Sequence, residues 1–179
     1  MNLWKWWGIT MIDIIINATN NEKELEKTLM SIYLQEKDYP CKVTILGNKK
    51  NIDFLNRYND KLSINYIKLE KEHDLKNIKN IGLDNTEYPY IIYIDSGDLF
   101  YNTQSIDTLT QYIEQNIDII SGIEYIEENE NIFQDSHSIY AKIFKRKFLK
   151  NNTEISLNIN NSKIISDIIY IHRNTKENN

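Results

Sequence analysis

The chain reads as a single α/β domain with a mostly parallel sheet flanked by helices. Short β-branched runs alternate with segments whose apolar residues recur at helical spacing, the pattern of parallel strands joined by right-handed crossovers. Tyr90-Ile-Ile-Tyr-Ile94 reads as a buried strand running straight into an acidic turn, Asp95-Ser-Gly-Asp98. The length of 179 residues suits one domain that buries about 70% of its unfolded surface, with no linker or repeat to mark a second.

Residues 1–10 stand apart as an N-terminal arm holding all three tryptophans, Trp4, Trp6 and Trp7, ahead of a second methionine, Met11. An upstream start, a disordered arm and a docking peptide are all open, as is packing on the domain's own surface. Because Trp is enriched in interface hot spots, the three are the candidate contacts with a protein partner. Residues 12–16 are apolar enough for a strand covered on both faces. The run breaks at residues 17–21, where a helix starts with Asn20 or Asn21 as N-cap and Glu22 and Glu24 in its first turn. Leu25, Leu29, Ile32 and Tyr33 carry its apolar face to about Gln35.

Residues 43–46 form a second strand, ended by Gly47-Asn48, and Ile52, Leu55 and Tyr58 mark a short helix. Residues 64–69 give the third strand. Residues 73–83 fit a helix with Leu75, Ile78 and Leu83 facing inwards and Gly82 near its end, before the strand at 90–94. Beyond Asp98 a helix is expected over 106–115, with Asn102 or Ser105 as cap, then a strand over 117–126. Glu127-Glu-Asn-Glu130 reads as a solvated acidic loop. A strand over 138–144 and a short basic turn or helix over 145–150 follow, whereas 164–171 suits helix or strand. The domain proper spans 11–172, with 173–179 a frayed polar tail.

A net charge of −5 leaves no electrostatic footprint for nucleic acid. The single cysteine, Cys41, excludes an internal disulfide and reads as a small buried filler. Apolar runs are too short to cross a bilayer, and the first residues lack the apolar core of a secretory signal. The expected location is the cytoplasm, with membership of a phage or other large assembly as the alternative. Heavy use of Ile, Asn, Lys and Tyr, with only 5 Gly and 2 Pro, is the codon bias of an AT-rich genome.

No G-x-G-x-x-G follows the first strand, and neither a Walker loop nor a G-x-S-x-G elbow is present. His73, His137 and His172 have no zinc-ligand spacing and read as surface or half-buried side chains. What remains is Asp95 and Asp98. Carboxylates beyond the carboxyl end of a strand lie where open α/β sheets bind ligands, and hard oxygens suit Mg²⁺ or Mn²⁺. The same four residues are also an ordinary solvated turn.

In order along the chain, four segments resemble the family-2 glycosyltransferases, which have the GT-A fold. Ile14-Ile-Ile-Asn-Ala-Thr-Asn20 with Glu24-Leu-Glu-Lys-Thr-Leu29 is similar to their I-I-I-P-x-x-N strand and following Thr-Leu helix. Lys79-Asn-Ile-Gly-Leu83 is similar to A-R-N-x-G-L, and residues 90–98 to the strand ending in D-S-D-D. Lys142-Ile-Phe-Lys-Arg-Lys-Phe-Leu-Lys-Asn-Asn152 resembles K-L-F-R-R-x-F-L-x-x-N, and Ser166-Asp167 falls at the distance of a Glu-Asp pair. The resemblance covers residues 11–172.

It implies a GT-A-like sheet that holds a nucleotide-diphosphate sugar at the ends of its first, second and fourth strands. Asn17, Thr19, Asn48, Lys79 and Asp95 would contact the nucleotide. Mn²⁺ or Mg²⁺ at Asp95 and Asp98 would neutralise the departing diphosphate as a Lewis acid. Asp167 would act as base on the acceptor hydroxyl in an inverting transfer. Several positions depart from the pattern. Gly97 replaces the second acid of D-x-D, Ile45-Leu-Gly-Asn-Lys49 replaces V-D-D-G-S, and Lys79 replaces an arginine with its bidentate fork. Asn17 stands for proline and Ser166 for Glu. Two expectations follow: a glycosyltransferase, or a degenerate GT-A domain retained as a structural or interaction module. Restoring the acid, Gly97→Asp, is expected to strengthen metal binding about tenfold, roughly 1.4 kcal/mol.

Overall fold

The computed structural model describes residues 11–18, 21–36, 40–48, 52–70, 73–113, 117–127, 130–133, 139–152 and 161–173. Thr19, His137 and the arm carrying Trp4, Trp6 and Trp7 lie outside them. β1 (Ile12–Asn17), β2 (Cys41–Gly47), β3 (Ser63–Lys68) and β4 (Tyr90–Asp95) run parallel. Their register aligns the carboxyl ends, with Asn17 opposite both Leu46 and Asp95. That edge is where a parallel sheet presents a crevice.

The second half of the sheet is mixed. β5 (Leu99–Phe100) follows the acidic turn, β6 (Ile119–Ile126) and β7 (Asn131–Phe133) form a hairpin, and β8 (Lys142–Lys145) lies antiparallel to β4 and β6. β9 (Ser162–His172) runs parallel to β6 and antiparallel to β5. The order is β3-β2-β1-β4-β8-β6-β9-β5, with β7 beside β6.

Helices cover both faces. α1 (Glu22–Tyr33), a 3₁₀ helix (Asp53–Tyr58) and α3 (Ser105–Thr110) pack on Ile12, Ile14, Ile16, Val43 and Ile45. α2 (Leu75–Asp84) and α4 (Arg146–Asn151) pack on Ile15, Leu46, Ile91 and Tyr93. Odd and even positions of one strand therefore feed two cores, which explains why these strands read as continuous apolar runs. Asn21 caps α1, accepting from the Lys23 and Glu24 amides. Gly82 is required by proximity: a Cβ there would sit 2.7 Å from Ile15 Cγ2, so glycine lets α2 rest on β1.

Arg146 closes the far end of α2. Its guanidinium donates to the carbonyls of Leu83 and Thr86 and to Thr86 Oγ1 at 2.7 Å. It also lies 3.9 Å from Asp13, which is fully buried and accepts from the Glu87 and Tyr88 amides at 2.8 and 2.6 Å.

The structure corrects several sequence expectations. Leu75 is 47% exposed because it opens α2 directly after the Asp74 cap, and the buried face begins at Ile78. Residues 164–171 are strand. β6 is followed by an antiparallel strand, β7, that the sequence did not announce. β8 begins only at Lys142 because Ala141 takes a left-handed conformation, φ 52°, that interrupts extension. The 106–115 helix is shorter, with α3 ending at Thr110. No helix among the described residues is long and apolar enough to cross a membrane.

Candidate functional site

At the carboxyl edge, the register that aligns Asn17 with Asp95 also joins their side chains: Asn17 Nδ2 donates to Asp95 Oδ1 at 3.0 Å. The chain then turns tightly, the Asp98 amide returning to the Asp95 carbonyl at 3.1 Å. Gly97 occupies the third position of this turn with φ 104°, a conformation that type II turns reserve for glycine. Thr28 of α1, fully buried, fixes the turn from one side. Its hydroxyl donates to the Asp98 carbonyl at 2.8 Å and accepts from the Gly97 amide at 2.9 Å. The Thr28-Leu29 pair thus joins a turn anchor to a core residue.

Two tyrosines and the end of β9 supply the remaining partners. Tyr140 donates to Asp95 Oδ2 at 2.6 Å. Tyr170, stacked on Tyr140 with centroids 5.6 Å apart, donates to Asp98 Oδ2 at 2.6 Å and accepts from the Asp95 amide at 3.3 Å. His172 Nδ1 lies 3.0 Å from the same Asp98 oxygen, and the Arg173 amide donates to Oδ1 at 2.7 Å. The Arg173 guanidinium reaches Glu127 at 2.8 Å, Glu24 at 3.2 Å and the Gly97 carbonyl at 3.4 Å. Every carboxylate oxygen of Asp95 and Asp98 therefore already has a protein donor.

Burial raises the Asp95 pKa, and the hydrogen bonds from Tyr140 and Asn17 offset part of that rise. Burial, then the neighbouring carboxylates, push both tyrosine hydroxyls well above their ordinary value, so they stay neutral donors. His172 is raised first by its hydrogen bond to Asp98.

The expected residues are not all brought together. Asn17, Asp95 and Asp98 meet. Asn48 is exposed just beyond β2, where Gly47 is crowded: a Cβ there would lie 2.9 Å from the Tyr66 hydroxyl. Lys79 is buried on α2, and desolvation lowers its pKa. Asp167 is exposed in mid-β9, and among the described residues no hydrogen bond joins it to Asp95 or Asp98. Tyr140, Tyr170, His172 and Arg173 were not foreseen. For Tyr170, His172 and Arg173 the only signal was the polar end of an apolar segment that fitted helix as well as strand, whereas Tyr140 lay within a segment expected as strand. Among the described residues no group of three or more His, Cys, Asp or Glu side chains is placed to hold a metal ion.

The family model described as Glycosyl transferase family 2 matches residues 13–173. No curated protein matches the chain. Solved structures share its architecture. TarS residues 1–349 from S. aureus in complex with UDP-GlcNAc superposes with a TM-score of 0.75 at 17% identity, over 93% of this chain and 59% of that one. Another structure of TarS residues 1–349 gives 0.74 at 16% identity, over 92% of this chain and 60% of that one. The mannosyltransferase PcManGT from Pyrobaculum calidifontis, in complex with GDP-Man and Mn²⁺, gives 0.69 at 12% identity, over 93% and 58%. This chain therefore spans about 60% of the first of these structures.

Proposed function

Because the chain belongs to the family-2 glycosyltransferases, we propose that it binds a nucleotide-diphosphate sugar at the carboxyl edge of β1, β2 and β4 and transfers the sugar, with inversion, to an acceptor. The observation that carries this reading is the Asn17–Asp95 pair, joined at 3.0 Å where two parallel strands end together. A crevice at that edge is where an open α/β sheet binds ligands. Asn48, exposed beside it, is the proposed contact to the base, and Lys79 and Asp95 the proposed contacts deeper in the site. Thr19 completes the proposed nucleotide set.

The base proposed from the sequence is Asp167. A general base must lie within hydrogen-bond reach of the proton it takes, so the acceptor would dock along the exposed side of β9. PcManGT is described with Mn²⁺, but the donors filling Asp95 and Asp98 here fit a cation poorly, and no step is routed through one.

The test is calorimetric titration of the chain with UDP and GDP, each with and without Mn²⁺. Saturable binding that Asn48→Glu abolishes supports the reading, and Asp167→Asn that still binds but no longer transfers supports the base. No binding under any condition overturns it. A second reading is favoured by the protein donor already present on every oxygen of both carboxylates. It makes the domain a structural or interaction module, with Trp4, Trp6 and Trp7 the proposed docking segment. A folded chain without nucleotide affinity, whose association with a partner is lost when residues 1–10 are removed, is its expected signature.

A further inference from the structure

The acidic turn has a second property that bears on what it can bind. Asp98 is 2% exposed and its carboxylate takes three donors, all from the end of β9. Two of the three cannot swing aside. The Arg173 amide is main chain, so withdrawing it means lifting the end of β9 off the turn. Tyr170 is 1% exposed and packed against Tyr140. A Mg²⁺ ion would require near-octahedral oxygen ligands at about 2.0–2.1 Å, closer than any donor now present. Asp95 offers no easier approach, with Asn17 on one oxygen and Tyr140 on the other. Gly97 adds no carboxylate and is held at φ 104°.

Arg173 extends the contact outwards, linking Glu24 of α1, Glu127 at the end of β6 and the Gly97 carbonyl. Arg173 thus joins four segments distant in sequence: α1, the acidic turn, the end of β6 and the end of β9. We propose that the acidic turn is a structural lock: Asp98, held by Tyr170, His172 and the Arg173 amide, fastens the carboxyl end of β9 to the end of β4, and the turn recruits no divalent cation. The lock does not depend on nucleotide binding.

The experiment is a titration of the full chain with Mn²⁺, followed by the spin resonance of the free ion, together with thermal melting in EDTA and in millimolar Mn²⁺. The free-ion signal is expected to track the buffer blank, and the wild-type midpoint to be the same in both solutions. Asp98→Asn is expected to melt several degrees lower in both. Arg173→Ala keeps the amide and loses only the outer links, so its midpoint falls less. Saturable Mn²⁺ uptake that Asp98→Asn abolishes overturns the proposal, as does a wild-type midpoint raised by Mn²⁺ or an Asp98→Asn midpoint equal to wild type. UDP binding that appears only with Mn²⁺ also overturns it, while leaving the nucleotide reading standing. If Asp98→Asn does not fold, the wild-type titration and Arg173→Ala decide the matter.

Discussion

Gly97→Asp is the change that sequence logic recommends and the structure argues against. It would complete a D-x-D motif, and one added ligand was expected to strengthen metal binding about tenfold, roughly 1.4 kcal/mol. The backbone at Gly97 stands at φ 104°, in a turn closed by the Asp98 amide and pinned by the Gly97 amide on Thr28. A side chain in the left-handed region costs about 1–2 kcal/mol, which cancels the expected gain before any electrostatics. The new carboxylate would also sit next to the half-buried Asp95 and the buried Asp98, and like charges at short range raise the cost further. Urea denaturation of Gly97→Ala and Gly97→Asp separates the two contributions. The alanine variant reports the backbone strain, and the aspartate variant loses more because it adds charge. Neither should gain affinity for Mn²⁺ in a calorimetric titration. A Gly97→Asp variant as stable as wild type that binds Mn²⁺ would refute this reasoning and restore the turn as a metal site.

Three further outcomes are expected. Arg146→Ala should lose roughly 3 kcal/mol in chemical denaturation, because it strips the Leu83 and Thr86 carbonyls of their donor and leaves the buried Asp13 without its neighbouring guanidinium. Gly122→Ala should lose about 1–3 kcal/mol by overpacking, since its Cβ would fall 2.2 Å from Ile169 Cγ1 and 3.3 Å from the Asp167 carbonyl where β6 and β9 pair irregularly; an unchanged melting midpoint would count against that packing. Asp13, raised by burial above its ordinary 3.8, binds its proton more tightly in the folded state, so its contribution favours folding at low pH and is lost as pH rises through the raised value. Asp13→Asn should remove that slope from a pH series of denaturation midpoints.

The parallel half of the sheet was legible because its evidence is local. Ile12, Ile14, Ile15 and Ile16 are all buried, so β1 shows no alternation and could be read as a strand covered on both faces. The Asn21 cap and the helical spacing of Leu25, Leu29 and Ile32 placed α1 to within a residue or two. The second half was less legible for a physical reason. β9 pairs with β6 through register shifts around Gly122, and its buried positions, Ile165, Ile169 and Tyr170, follow neither a strict strand nor a strict helix period. The start of β8 was misplaced because a single left-handed residue, Ala141, interrupts extension without any glycine or proline to announce it.

The site divides along the same line. Asn17 and Asp95 could be paired from sequence because parallel register carries one strand's end to another's. The partners of Asp98 could not, since Tyr170, His172 and Arg173 arrive from 72 to 75 residues away on the strand whose class was ambiguous. With β9 read as a helix, those side chains would point elsewhere and Asp98 would face the crevice as an open ligand. With β9 as a strand ending at His172, the alternate positions 170 and 172 both turn towards the carboxylate and the next amide closes on it. An acidic turn is thus a metal motif or a lock according to what is placed beside it, and here that is set by the secondary structure of a segment far along the chain.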